Sequence, residues 1–282
     1  MAILNLLRPF LSPSSRIGFM CIVGLLVVTS LAQAQEGKLV ITGSSTMAPL
    51  LLEIGKRFEA IYPHTRIDVQ TGGSSRGIVD TINGLADIGM ASRALKPQEE
   101  HLHGSVVARD GIGIILHQSN PIQELTNSQI QGIYTGKLTN WKQVGGRDAP
   151  ITVVHKAQGR STLELFLQYF KLSIRDIHAH VVIGDNEHGI KTVAGNANAI
   201  GYVSIGTAQY DATHGVPIRL LPLLQIPASI DTVRAETFPL SRPLTLVTKS
   251  RPTGLTKTFI EFAQSAQVHD LILKQYFVPL QQ

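Results

Sequence analysis

One unit recurs along this 282-residue chain and narrows its fold more than any other feature. It is a short apolar run, a turn dense in glycine and hydroxyl side chains, then apolar residues at helical spacing. It first occurs between Lys38 and Phe58. Leu39 to Ile41 reads as a buried strand. Thr42, Gly43, Ser44, Ser45 and Thr46 make the turn, and Leu51, Ile54, Phe58 and Ile61 share one helical face. Pro49 is tolerated at the helix start, where its missing N–H has no intrahelical partner. The unit returns with Ile67 and Val69, then Thr71 to Gly77, then Ile78, Ile82 and Leu85. A third copy runs from Ile151 to Val154, through His155 to Thr162, into Leu163, Phe166 and Phe170. Strands alternating with helices predict an α/β fold with a mostly parallel sheet covered on both faces. Ligands in such folds sit beyond the carboxyl ends of the strands, and all three turns fall there.

The rest of the chain fits the same class. Ala86 to Ala91 reads as a strand ending in Ser92 and Arg93. The apolar run Val106 to Leu116, broken by Arg109, Asp110 and Gly111, reads as strand, turn and a strand leaving for another part of the fold. Thr126 and Gln129 have capping-box spacing, so a helix begins near Asn127. Ala199 to Ser204 and Leu244 to Thr248 are strands, and Thr256 to Phe277 is a closing helix or helix pair. A hydrophobic content of 43% supports a packed core and argues against disorder.

Residues 1–34 have a different character. Arg8 and Arg16 precede an apolar run from Ile17 to Leu31, and Ala32-Gln33-Ala34 fits a small-x-small cleavage site. This predicts a secretory signal peptide, with the mature chain starting at Gln35. A membrane anchor is the alternative, but the run falls short of the roughly 20 residues of a span and no basic stop comes after it. The only cysteine, Cys21, lies inside the run, so the mature chain holds no disulfide. Losing Arg8 and Arg16 leaves 23 cations against 20 acids, a fall in net charge from +5 to +3. That mild, scattered basicity suits a small anion and gives no basic run for nucleic acid.

The turns carry the chemistry. Helix N-termini present amides without intrahelical partners, and hydroxyls stand beside them, with Arg93 and Arg160 nearby. A tetrahedral oxyanion offers many lone pairs, which N–H and O–H donors match without changing protonation. The plain alternative is three capped helices and two solvated arginines. Gly73, Ser75 and Gly77 also satisfy G-x-S-x-G, the elbow of serine hydrolases, with Asp185 and His188 as triad candidates. Too few strands precede Ser75 to frame that elbow. The ten histidines show no H-E-x-x-H, and the pairs His101/His103 and His178/His180 lack a third ligand.

The segments ITGSSTMAPL, TGGSSRGI, ADIGMASR, ARDGIGIIL, LTNSQIQGIYTGKLTNW and NANAIGYVSIG occur in this order. Together they resemble the periplasmic phosphate-binding proteins of ABC transporters, the PstS-like family, over essentially the whole mature chain. The resemblance implies a two-lobed periplasmic binding protein of type II, with the ligand in a cleft between lobes joined by two crossover strands. The crossovers would lie near Ile112 to Leu116 and Pro239 to Leu244. Lobe one would comprise residues 35–113 and 244–282, and lobe two residues 114–243. The implied anion contacts are Ser45, Thr46, Ser74, Ser75, Ser92, Arg93, Arg160, Ser161 and Thr162. Ser92 stands where some members carry an aspartate that accepts the phosphate proton. In the third turn Lys156 replaces an arginine and Gln158 an acid, which leaves Asp110 as either the proton acceptor or a turn residue before Gly111. The implied function is capture of inorganic phosphate in the periplasm and delivery to the membrane permease of an ABC transporter. The protein would be a monomer and not an enzyme, with no cofactor and no metal. Sulfate or molybdate binding, a sensory or adhesive role on the same fold, and hydrolysis through Ser75 are the alternatives.

Overall fold

The structure, a computed structural model, describes residues 36–280. The expected signal peptide, with Cys21, lies outside the described residues. The chain runs β1 (Gly37–Gly43), α1 (Ala48–Ile61), β2 (Thr65–Thr71), α2 (Ser74–Ile82), β3 (Ile88–Ala91), β4 (His103–His117) and α3 (Asn127–Tyr134). It continues through β5 (Thr152–Lys156), α4 (Ser161–Tyr169), β6 (Val181–Ile183), α5 (Asn186–Ala194), β7 (Ala199–Ser204), α6 (Ile205–Thr213) and β8 (Ile218–Leu220). It closes with α7 (Ile230–Arg234), β9 (Ser241–Thr248), α8 (Gly254–Gln264), α9 (His269–Lys274) and β10 (Val278–Pro279). The expected start of α3 is met. Thr126 Oγ1 accepts the Gln129 N–H, and the Gln129 side chain accepts the Thr126 N–H at 2.8 Å.

The strands lie in the order β2-β1-β3-β9-β4-β7-β5-β6, with β8 and β10 paired to β4. Each end is a parallel triplet, β2-β1-β3 and β7-β5-β6. The centre is antiparallel, where β9 pairs with β3 and β4, and β4 with β7. The mostly parallel sheet expected from the βα alternation therefore holds only toward the two ends. The middle departs because β4 is one continuous 15-residue strand, not strand, turn and strand. Arg109 and Asp110 do not break it. Asp110 faces Arg242 across the ladder, and each buries the other's charge, so no turn is needed to bring either to water.

β4 and β9 pass between separate apolar cores. Val107, Ala108, Leu244 and Leu246 pack with Phe58, Phe259 and Phe277 in the first core. Ile112, Ile114, Leu116 and Leu240 pack with Trp141, Phe166 and Tyr202 in the second. Each fully buried side chain of this size contributes about 1.5–3 kcal/mol of transfer free energy, so each half of the sheet has its own source of rigidity. No helix among the described residues is long and apolar enough to cross a membrane.

Candidate anion site

Four strand-to-helix turns meet where the two parallel triplets face each other. The first follows β1. Gly43 has φ +132°, and a Cβ there would sit 2.4 Å from the Met90 carbonyl oxygen. Only glycine lets this turn cross so close to β3, and it delivers Ser44, Ser45 and Thr46 to the rim. The second follows β2. The Gly72 and Gly73 amides both donate to the Gly43 carbonyl, at 3.0 and 2.9 Å, which fixes Ser74 at the start of α2. The third follows β5, where Lys156 ends the strand and Arg160 precedes Ser161 and Thr162, the first residues of α4. The fourth follows β6. Gly184 leads into Asp185, whose carboxylate caps α5 by accepting the His188 N–H at 2.8 Å, and this sets Asn186 in the first turn.

These turns and Ser92 line a small cavity, about 10 Å³ of room for the centre of a water-sized sphere. That admits a compact ion and excludes an organic ligand of ordinary size. Its wall is almost all donors. Ser44 Oγ donates to Ser92 Oγ at 3.0 Å, Ser74 Oγ donates to Ser161 Oγ at 3.1 Å, and Ser92 and Ser161 hydroxyls lie 2.5 Å apart. Asn186 Nδ2 donates to Thr46 Oγ1 at 3.1 Å. The N-termini of α2, α4 and α5 all border the cavity, through Ser74, Ser161 and Asn186, and the first amides of a helix have no intrahelical partner.

Three cations surround these donors. Lys156 is 3% exposed and donates to Asn186 Oδ1 at 3.0 Å. Burial, then Arg242, lower its ammonium to about 7; Asp185 offsets part of this and Arg160 adds to it. Arg160 lines the cavity, and its buried Nε has no hydrogen-bond partner. Arg242 stands behind the hydroxyls. Its Nη1 donates to Thr162 Oγ1 at 2.9 Å and to Ser92 Oγ at 3.4 Å, and its Nη2 to Thr46 Oγ1 at 3.4 Å. Asp110 holds it from the other side, with Oδ2 accepting from Nε at 3.1 Å and Nη2 at 2.8 Å. Asp110 Oδ1 accepts the Gly206 amide at 3.2 Å. No carboxylate lines the cavity. The arrangement suits the binding of negative charge by hydrogen bonds and by the nearby cations.

A family model described as a PBP superfamily domain matches residues 29–267. The phosphate-binding protein PstS of Bacillus subtilis is 26% identical over 251 residues, 87% of this chain and 81% of the relative. A Clostridium perfringens structure, assigned as a phosphate ABC transporter substrate-binding protein and holding bound phosphate, superposes with a TM-score of 0.80. It is 31% identical, and the match covers 87% of this chain and all of that one. The chain belongs to the PBP superfamily, in its PstS-like branch. An ABC-type phosphate transport receptor from Vibrio cholerae has the same fold, with a TM-score of 0.70 and 30% identity over 86% of this chain and all of that one. The PstS-like fold is a two-lobed α/β structure, and the four turns lie between its lobes.

Within this PstS-like frame, Ser45, Thr46, Ser74, Ser92, Arg160, Ser161 and Thr162 line the cavity. Three further expected contacts lie off it. Arg93 is taken up by Glu99, with two bonds of 2.7 and 2.9 Å. Ser75 donates to the Glu164 carboxylate at 3.1 Å, with no imidazole as its partner. Asp110 reaches the site only through Arg242. Sequence reasoning did not single out Ser44, Asn186 or Arg242. The Asn186 turn repeats the strand–turn–helix unit, but β6 has only three residues to announce it. An arginine at the entry to β9, just ahead of its apolar run, and an aspartate inside the apolar stretch of β4 were the available signal for Arg242.

Proposed function

We propose that this chain is a secreted binding protein that captures inorganic phosphate and hands it to the membrane permease of an ABC transporter. It works as a monomer from Gln35 onward, with residues 35–113 and 244–282 as one lobe and 114–243 as the other. One observation carries the reading: a small pocket of ionic size, walled by hydroxyls, helix N-termini, Lys156 and Arg160, and backed by Arg242. Phosphate bound in the Clostridium perfringens relative supports the choice of anion. Asp110 serves as the anchor of Arg242, fixing the guanidinium plane behind Thr46, Ser92 and Thr162. Closure of the lobes on the anion supplies the shape that a permease reads.

Binding is by hydrogen bonds and charge, with no bond made or broken. The donor-rich wall also favours a second reading. Phosphate keeps a proton near neutral pH and sulfate does not, and a carboxylate in the wall would reject sulfate. No carboxylate lines this cavity, so sulfate is the natural competitor. Isothermal titration of the refolded chain, stripped of carried-over anion, tests both. Saturable phosphate binding is expected, with sulfate competing for the same site. Tighter binding of sulfate or molybdate would move the substrate, and no heat from any of the three would overturn the function.

A further inference from the structure

Outside the cavity, one carboxylate joins the two sides of the cleft. Glu164 lies in the first turn of α4, beside the third binding turn, and is 26% exposed. Its Oε2 forms ion pairs, without hydrogen-bond alignment, with Arg93 Nε at 3.1 Å and Lys96 Nζ at 2.9 Å, and its Oε1 accepts from Ser75 Oγ at 3.1 Å. All three partners belong to the opposite side, Ser75 on α2 and Arg93 and Lys96 just after β3. Arg93 is fixed before Glu164 arrives. Its Nη1 and Nη2 are held by Glu99, and Nη1 also donates to the Ala94 carbonyl at 2.9 Å. What remains is its Nε edge, which faces α4. Beside this contact the Ser75 amide donates to the Gly159 carbonyl at 3.2 Å, again across the cleft.

We propose that Glu164 is the latch of the closed form, a positioning residue that sets anion affinity without touching the anion. Its three contacts exist only while α4 lies against α2 and the segment after β3. Their free energy therefore favours closure alone and slows release of whatever the cavity holds. A static ion pair makes a different prediction. Glu164 is a negative charge near an anion site, so by charge alone its removal strengthens anion binding. The latch reverses that sign.

The affinity arm of the test rests on the phosphate reading; the exchange arm does not. Phosphate binding kinetics and amide exchange at Ser75 are compared for the parental chain, Glu164→Gln and Lys96→Met. For Glu164→Gln the release rate should rise several-fold, about threefold to tenfold, as for loss of partly exposed ion pairs, with association little changed. Ser75 should exchange faster. Lys96 is 35% exposed, so Lys96→Met folds normally and should show the same change, smaller. Equal or tighter phosphate binding with unchanged Ser75 exchange would overturn the latch. If the parental chain binds no anion, the phosphate reading falls. The latch is then judged by exchange alone: faster in Glu164→Gln supports it, unchanged overturns it.

Discussion

Lys156 illustrates how the site stores its affinity. A buried ammonium beside Arg242 and Arg160 is costly, which is why it sits at about 7, well below a free lysine. An arriving anion reverses that cost, so binding above pH 7 draws a proton onto Lys156. At about pH 8.5 the heat of phosphate binding should then vary with the ionisation heat of the buffer, and should cease to do so in Lys156→Met. Affinity should weaken by up to about tenfold per pH unit above 7. His155, one residue back, acts on stability instead. Burial lowers its imidazole to about 4, so between pH 6.5 and 4 the unfolded chain takes up a proton that the fold refuses. Stability should fall as pH drops through that window, by roughly 3 kcal/mol in all, and His155→Phe should flatten the slope of the unfolding midpoint. Asp110→Asn leaves Arg242 buried and unpaired, a loss of about 3–5 kcal/mol. Added phosphate should raise its unfolding midpoint more than the parental one. Of these residues, Lys156 and Asp110 were visible in the sequence as candidates, but their roles were not. Arg93 follows a serine at a strand end and reads as a site cation; that Glu99 claims it depends on how the intervening loop folds back. Arg242 and Asp110 explain each other only once β4 and β9 are paired.

At the level of elements, the site depends on how closely two turns approach. Gly73 has φ +96°, and a Cβ there would lie 2.6 Å from the Gly159 carbonyl oxygen across the cleft. Gly73→Ala should wedge the turns apart and weaken phosphate binding by more than about tenfold. Gly84→Ala is the control, since Gly84 also has positive φ, +71°, but a Cβ there meets nothing within 4 Å. It carries a left-handed backbone strain of about 1–2 kcal/mol without the clash across the cleft, and should leave affinity intact. The three long strand–turn–helix units could be read because each has a strand and a helix with clear apolar periods. β6, β8 and α7, with three, three and five residues, are too short for a period to stand out. β4 was misread for the opposite reason. A polar break in an apolar run looks like a turn when the charge that neutralises it lies 132 residues away.

For the whole molecule, β4 and β9 are the paired path between the two cores, so the closure proposed above amounts to bending and twisting one two-stranded ribbon. Small-angle scattering should show a smaller radius of gyration with phosphate than without it, and the contraction should be lost in Gly73→Ala. The same topology governs assembly. The second core draws mainly on the continuous stretch from Ile112 to Leu240. The first draws on both chain ends, joining Leu39, Ile41 and Phe58 to Phe259, Phe262 and Phe277, and β9 is inserted between β3 and β4. As the polypeptide emerges vectorially, the middle of the chain can complete its core while the earliest strands still lack their cover. The half synthesised first therefore completes its core last, once the C-terminal helices have been made.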